Sequence, residues 1–169
     1  MKLEGQRQRG ITIVEIMVAL AIASILIGLA LPAWNGLIAQ RTLTTQLNDL
    51  VLAVQYARSE AGRQGTIATV QAVNAGDNAN EWGPGWCVVM NNPGNCGAPL
   101  RRFAATGNNT VDGTGALDGV GALSFNSRGL LTTGVGGNID LCDPNEDTGR
   151  RITVSVIGRV SSAELDCNP

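Results

Sequence analysis

Glu15 is the residue of this chain whose surroundings demand a chemical explanation. It is the one charged residue of Ile11–Leu31, an otherwise mostly apolar run that begins directly after Arg9-Gly10. An ionised carboxylate in hydrocarbon costs at least about 2.5–3.5 kcal/mol on insertion scales, so an acid kept there either reaches the interface or has a partner. A free α-amino group from another copy or a neighbouring subunit would be such a partner, if the chain were cut after Gly10. The other candidates for chemistry lie beyond the run. Cys87, Cys96, Cys142 and Cys167 contain no C-x-x-C pair, and an even count outside the cytoplasm reads as two disulfides rather than a metal or redox site. Arg101-Arg102, Arg128, Arg150-Arg151 and Arg159 could meet phosphates as point contacts. The sequence has no histidine, which removes imidazole acid–base chemistry, Ser-His and Cys-His triads and imidazole-bound zinc.

The element that must position Glu15 is the apolar run itself. Its 21 residues match the roughly 20 needed to cross a bilayer core as a helix. Lys2, Arg7 and Arg9 precede it against the single acid Glu4, so the positive-inside rule leaves the N-terminus in the cytoplasm and sends the rest of the chain across. The cysteines then lie on the oxidising side. A removable secretory signal would have a shorter apolar core of about 7–15 residues and a small-x-small site after it. Pro32-Ala33-Trp34 offers none, and no cysteine follows the run to take a lipid. The reading is a single anchor carrying one soluble domain, for which the roughly 130 residues that follow suffice. The net charge of −2 and the pI near 5.0 give no bulk attraction to nucleic acid or anionic lipid.

After the run, Leu43, Leu47, Leu50, Val54, Ala57 and Ala61 recur at helical spacing and form one apolar stripe. This predicts a helix continuing from the membrane segment through residues 32–62, with Pro32 and Gly36 as kinks. Beyond Gly62 the texture changes to short β-rich pieces separated by Gly, Asn, Asp and Pro. Strands are expected at 66–73, 85–90, 100–104, 122–126, 138–142 and 152–160, with loops at 74–84, 91–99, 105–121 and 143–149. The connections read as loops rather than crossover helices, so antiparallel pairing is expected. The expected fold is α+β, a long N-terminal helix packed on an antiparallel sheet or pair of sheets. Four cysteines allow three connectivities. Proximity along the chain favours Cys87 with Cys96 and Cys142 with Cys167.

Other constellations reduce to structure. The Gly-rich stretch from Gly113 lacks the lysine and spacing of a phosphate loop. The carboxylates Asp140, Asp143, Glu146 and Asp147 lack the alternation and turn glycine of a calcium loop. No cofactor or metal is expected.

The leader residues 1–10, Gly10, the hydrophobic start at Ile11, Glu15 at the fifth position thereafter and Pro32 about one membrane thickness later together resemble a type IV prepilin signal. The stretch LTTQLNDLVLAVQYARSEA and then GWCVVM, FNSRG, LCD and GRV are similar, in that order, to the FimT/GspH-type minor pilins and pseudopilins. The resemblance implies a pilin-like fold with a cleaved leader (1–10), a transmembrane and assembly helix (11–31), its amphipathic continuation (32–62) and a globular β-rich domain (63–169). It further implies cleavage between Gly10 and Ile11 by prepilin peptidase, N-methylation of Ile11, and pairing of Glu15 with a neighbour's N-terminus. The subunit would sit in the inner membrane with its domain in the periplasm, among other pilins or pseudopilins and membrane lipid, and would enter a pilus or a type II secretion pseudopilus near its tip. It would not be an enzyme. Some FimT-like minor pilins bind DNA through a C-terminal GRxR motif. Here the matching residues are Gly158-Arg159-Val160-Ser161, without the second arginine, so the alternative of a DNA-binding pilin would rest on Arg159, Arg150 and Arg151. The simpler expectation is that Arg159 ends a strand and pairs with a carboxylate.

Overall fold

The structure, a computed structural model, describes residues 11–74, 80–91 and 94–168, with the side chains at 29–33 and 35 outside that description. The leader with Gly10, and the side chain of Pro32, therefore lie outside the described residues. The chain falls into two compact units, residues 1–38 and 39–169, and each is described by itself.

Helix α1 is assigned continuously over Ile13–Gln64. Thr12 begins it as a cap: its Oγ1 accepts the backbone N–H of Glu15 at 3.2 Å. That satisfies one of the first-turn donors that have no partner within a helix. The helix stops where Gly65 adopts φ +68°, a left-handed conformation that suits glycine at a helix end. In the first unit, Ile11, Ile13, Val14, Met17, Leu20 and Ile25 are each more than 60% exposed.

In the second unit the apolar stripe of α1 is the spine of the core. Leu43, Leu47, Leu50, Ala53, Val54, Ala57 and Ala61 are all buried and share one cluster with residues of two four-stranded antiparallel sheets. The first sheet has the order β3-β2-β1-β5, built from β1 (Ala68–Ala72), β2 (Trp86–Met90), β3 (Arg101–Phe103) and β5 (Ala122–Phe125). β1 is buried at every position. Val70 belongs to the main core, while on its other face the Thr69 and Ser124 hydroxyls share a hydrogen bond of 2.8 Å. Cys87, Val89 and Cys96 form a separate small cluster. The second sheet has the order β4-β6-β7-β8, with β4 (Thr110–Thr114), β6 (Gly137–Cys142), β7 (Thr148–Val154) and β8 (Val160–Asp166). A short 3-10 turn, Gly115–Leu117, follows β4.

The second sheet departs from the sequence expectation in two places. β4 lies inside the segment expected as a loop over 105–121; its Asp and two Thr hide the alternation, and its partner β6 supplies the ladder. The single strand expected over 152–160 is instead the end of one strand and a hairpin. Gly158 donates to Ser155 O (2.7 Å) and Ser155 N–H to Arg159 O (2.9 Å), with Gly158 at φ +71°. β7 begins earlier, at Thr148, and β8 is a new edge strand largely open to solvent. An exposed edge strand has no buried face to impose alternation, so VSSAELD carries no strand signal of its own.

Candidate functional site

At the N-terminal end, Ile11 and Glu15 are exposed, with Glu15 in the first turn of α1. Thr12-x-x-Glu15 has the residue types of a capping box, a local signal in the sequence that the attention to Glu15's charge passes over. An acid in the first turn also complements the positive end of the helix dipole. Among the described residues no helix is long and apolar enough to cross a membrane.

Both cysteine pairs are disulfides: Cys87 with Cys96 and Cys142 with Cys167, each with Cα atoms 5.9 Å apart. The first ties the loop after β2 over the outer side of β1, where Arg102 donates to Cys96 O at 2.6 Å. The second joins the end of β6 to the residue after β8.

The structure does not gather the three arginines considered as DNA contacts into one free patch. Arg151 forms a two-bond pair with Asp140, both 2.6 Å. Arg150 reaches Glu164 on β8 at 2.8 Å. Arg159 is exposed at the β7–β8 hairpin and, among the described residues, forms no ion pair. Its expected carboxylate partner is therefore corrected. Glu164 and Asp166 lie farther along β8, and Glu164 is engaged by Arg150 across the strand pair.

A feature no motif announces is a carboxyl pair, Glu81 and Asp112. Glu81 is fully buried and accepts the N–H groups of Gly113 (3.2 Å) and Gly119 (2.9 Å), so it closes the turn between β4 and β5. Burial pushes its carboxyl upward. Hydrogen bonds from the Asp112 side chain, from its own N–H and from the two glycines outweigh that and hold it below the ordinary value. Asp112 moves the other way, to about 7, through burial first, then the hydrogen bond and charge of Glu81, with Asp118 and Asp140 adding repulsion. Two carboxylates this close cannot both ionise cheaply, and the proton goes to the one with fewer donors. The pair is a structural clasp.

The geometry is thus a capped N-terminal helix with an uncovered apolar surface, followed by a disulfide-stapled sheet domain. The sequence model described as "Type II transport protein GspH" matches residues 46–158, two thirds of the chain. The chain belongs to the GspH family. The prokaryotic N-terminal methylation motif matches residues 5–31. No curated protein matches the sequence. Among solved structures, the chain is similar to the type IV minor pilin FimU of Pseudomonas aeruginosa PAO1 in two crystal forms. In one the TM-score is 0.60 at 26% identity, covering 74% of this chain and 87% of FimU. In the other it is 0.59 at 26% identity, covering 73% and 91%. This GspH-family chain is a minor pilin or pseudopilin, a membrane-anchored subunit whose fold is the pilin fold. Nothing in these likenesses points to nucleic acid.

Proposed function

We propose that this subunit is cut between Gly10 and Ile11 by prepilin peptidase, is N-methylated at Ile11, and waits in the inner membrane with residues 39–169 in the periplasm until a filament takes it up near its tip. The observation that carries this reading is the uncovered apolar surface of α1, with Ile11, Ile13 and Leu20 exposed in a segment that matches the methylation motif. Exposed apolar surface of this extent needs lipid or neighbouring helices to cover it. Membrane lipid covers it before assembly, and the same helices of other pilins or pseudopilins cover it afterwards.

Glu15 sets the register of that exchange. In lipid its charge is costly. Beside the new α-amino group of a neighbouring helix it gains a cation, and breaking a buried pair of this kind by removing one partner costs several kcal/mol. Helices that slide by one turn lose the pair, so packing and charge select one axial position together. The role is structural, with no substrate turned over. The family description names type II transport and the FimU likeness names a type IV pilus, and both assemblies suit the same parts.

Peptide mass spectrometry of sheared surface filaments and of inner membrane separates these cases. A peptide beginning at methylated Ile11 in sheared filaments makes the protein a pilus subunit. The same peptide confined to the membrane fraction makes it a secretion pseudopilin. An intact Met1 terminus in both fractions overturns the processing reading.

A further inference from the structure

We infer that the soluble domain docks end to end with a second copy of this chain, the β7–β8 hairpin of one copy seating in the acid-rimmed hollow at the other end of the next. The two ends belong to the same strand pair. At one end the hairpin presents Val156 and Ile157, 43% and 60% exposed. The tip is held in shape. Leu131 N–H donates to Val156 O (2.9 Å), Ser155 Oγ accepts Arg159 N–H (3.0 Å), and Gly158 leaves no room for a Cβ against Arg58 and Gly129 O. A preformed knob loses little freedom on binding.

Three arginines surround the knob. Arg159 flanks it, while Arg58 and Arg128 line the adjoining concavity, with Arg58 Nε donating to Gly129 O at 3.1 Å. Among the described residues none of the three forms an ion pair. At the other end lies a cavity of about 330 Å³ whose lining includes the Cys142–Cys167 disulfide and Pro144 as apolar surface and Asp143, Glu146 and Asp147 as carboxylates. These acids also lack a cation among the described residues. The Asp143 carboxylate accepts from Asn145, and that of Asp147 accepts from Asn168.

The ends are separated by β7, whose seven residues span about 23 Å at about 3.3 Å each. That exceeds two Debye lengths at physiological salt, so each end presents its own sign of field. An apolar knob ringed by cations thus faces, in the next copy, an apolar hollow ringed by anions. Because the joined surfaces differ, the contact is head to tail. The inference does not depend on how the N-terminus is processed.

The test uses the full-length chain in detergent micelles with a benzoylphenylalanine photo-crosslinker in place of Ile157. Irradiation is expected to give a dimer whose crosslinked peptide contains residues 143–147. Arg128→Glu with Arg159→Glu in the labelled copy should lower its yield at least tenfold. Mixing that copy with a Glu146→Arg, Asp147→Arg partner should restore the adduct, which a merely misfolded variant would not do. A crosslink to another part of the chain overturns the inference, as does no dimer, or a yield indifferent to both charge reversals.

Discussion

Replacing Asp112 by asparagine should flatten the dependence of stability on pH between about 5 and 8. In the folded chain Asp112 holds its proton up to about 7, against 3.8 as its ordinary value. Below 3.8 both states are protonated and the group is silent. As pH rises through the window the unfolded chain releases this proton freely while the folded chain keeps it, so the stability present at low pH is progressively lost until pH passes 7. At about 1.36 kcal/mol per pKa unit the ceiling is about 4 kcal/mol. Asp112 is only partly buried, and solvent screening reduces the expectation to about 1–2 kcal/mol. Glu81 works in the opposite sense, since its carboxyl is lowered from 4.5. Its contribution is complete above 4.5 and is lost as pH falls, so it leaves the window to Asp112. Asparagine keeps an N–H donor for Glu81 and cannot ionise. Urea unfolding of the full-length chain in micelles, followed through the buried Trp82 and Trp86, should give a wild-type midpoint that falls from pH 5 to 8 and an Asp112→Asn midpoint that stays level and is the higher of the two at pH 8. A wild-type curve already flat across this range, or a variant that keeps the wild-type slope, would refute the assignment of the proton to Asp112.

Two further outcomes follow from packing and from the staples. Leu50→Ala, at a fully buried position of the α1 stripe, should cost about 2–5 kcal/mol in the same urea experiment, whereas alanine at the exposed Gln55 should change little. Replacing Cys142 and Cys167 together by serine opens a loop with a sequence separation of 25 and should lower stability by about 3 kcal/mol, read as a lower urea midpoint than that of the wild-type chain under non-reducing conditions.

The sequence by itself determined what is local and periodic. The stripe from Leu43 to Ala61 is legible because a helix brings every third or fourth residue to one face, and each of those residues is buried. The membrane-motif segment is legible because length, basic flank and Glu15 lie within one short stretch, matched by the methylation motif over residues 5–31. The α+β class followed from the change of texture after Gly62. Tertiary structure alone decided what depends on distant partners. β4 and β8 are strands because β6 and β7 offer them ladders, not because TVDGT or VSSAELD alternates. Arg150 and Arg151 look equally available for phosphate in the chain, yet register sets Arg151 opposite Asp140 and Arg150 opposite Glu164. Glu81 and Asp112 are 31 positions apart with no motif between them. Their opposite shifts in proton affinity exist only because the fold buries one carboxyl among backbone donors and brings the other against it, and electrostatic energy depends on separation in space rather than along the chain.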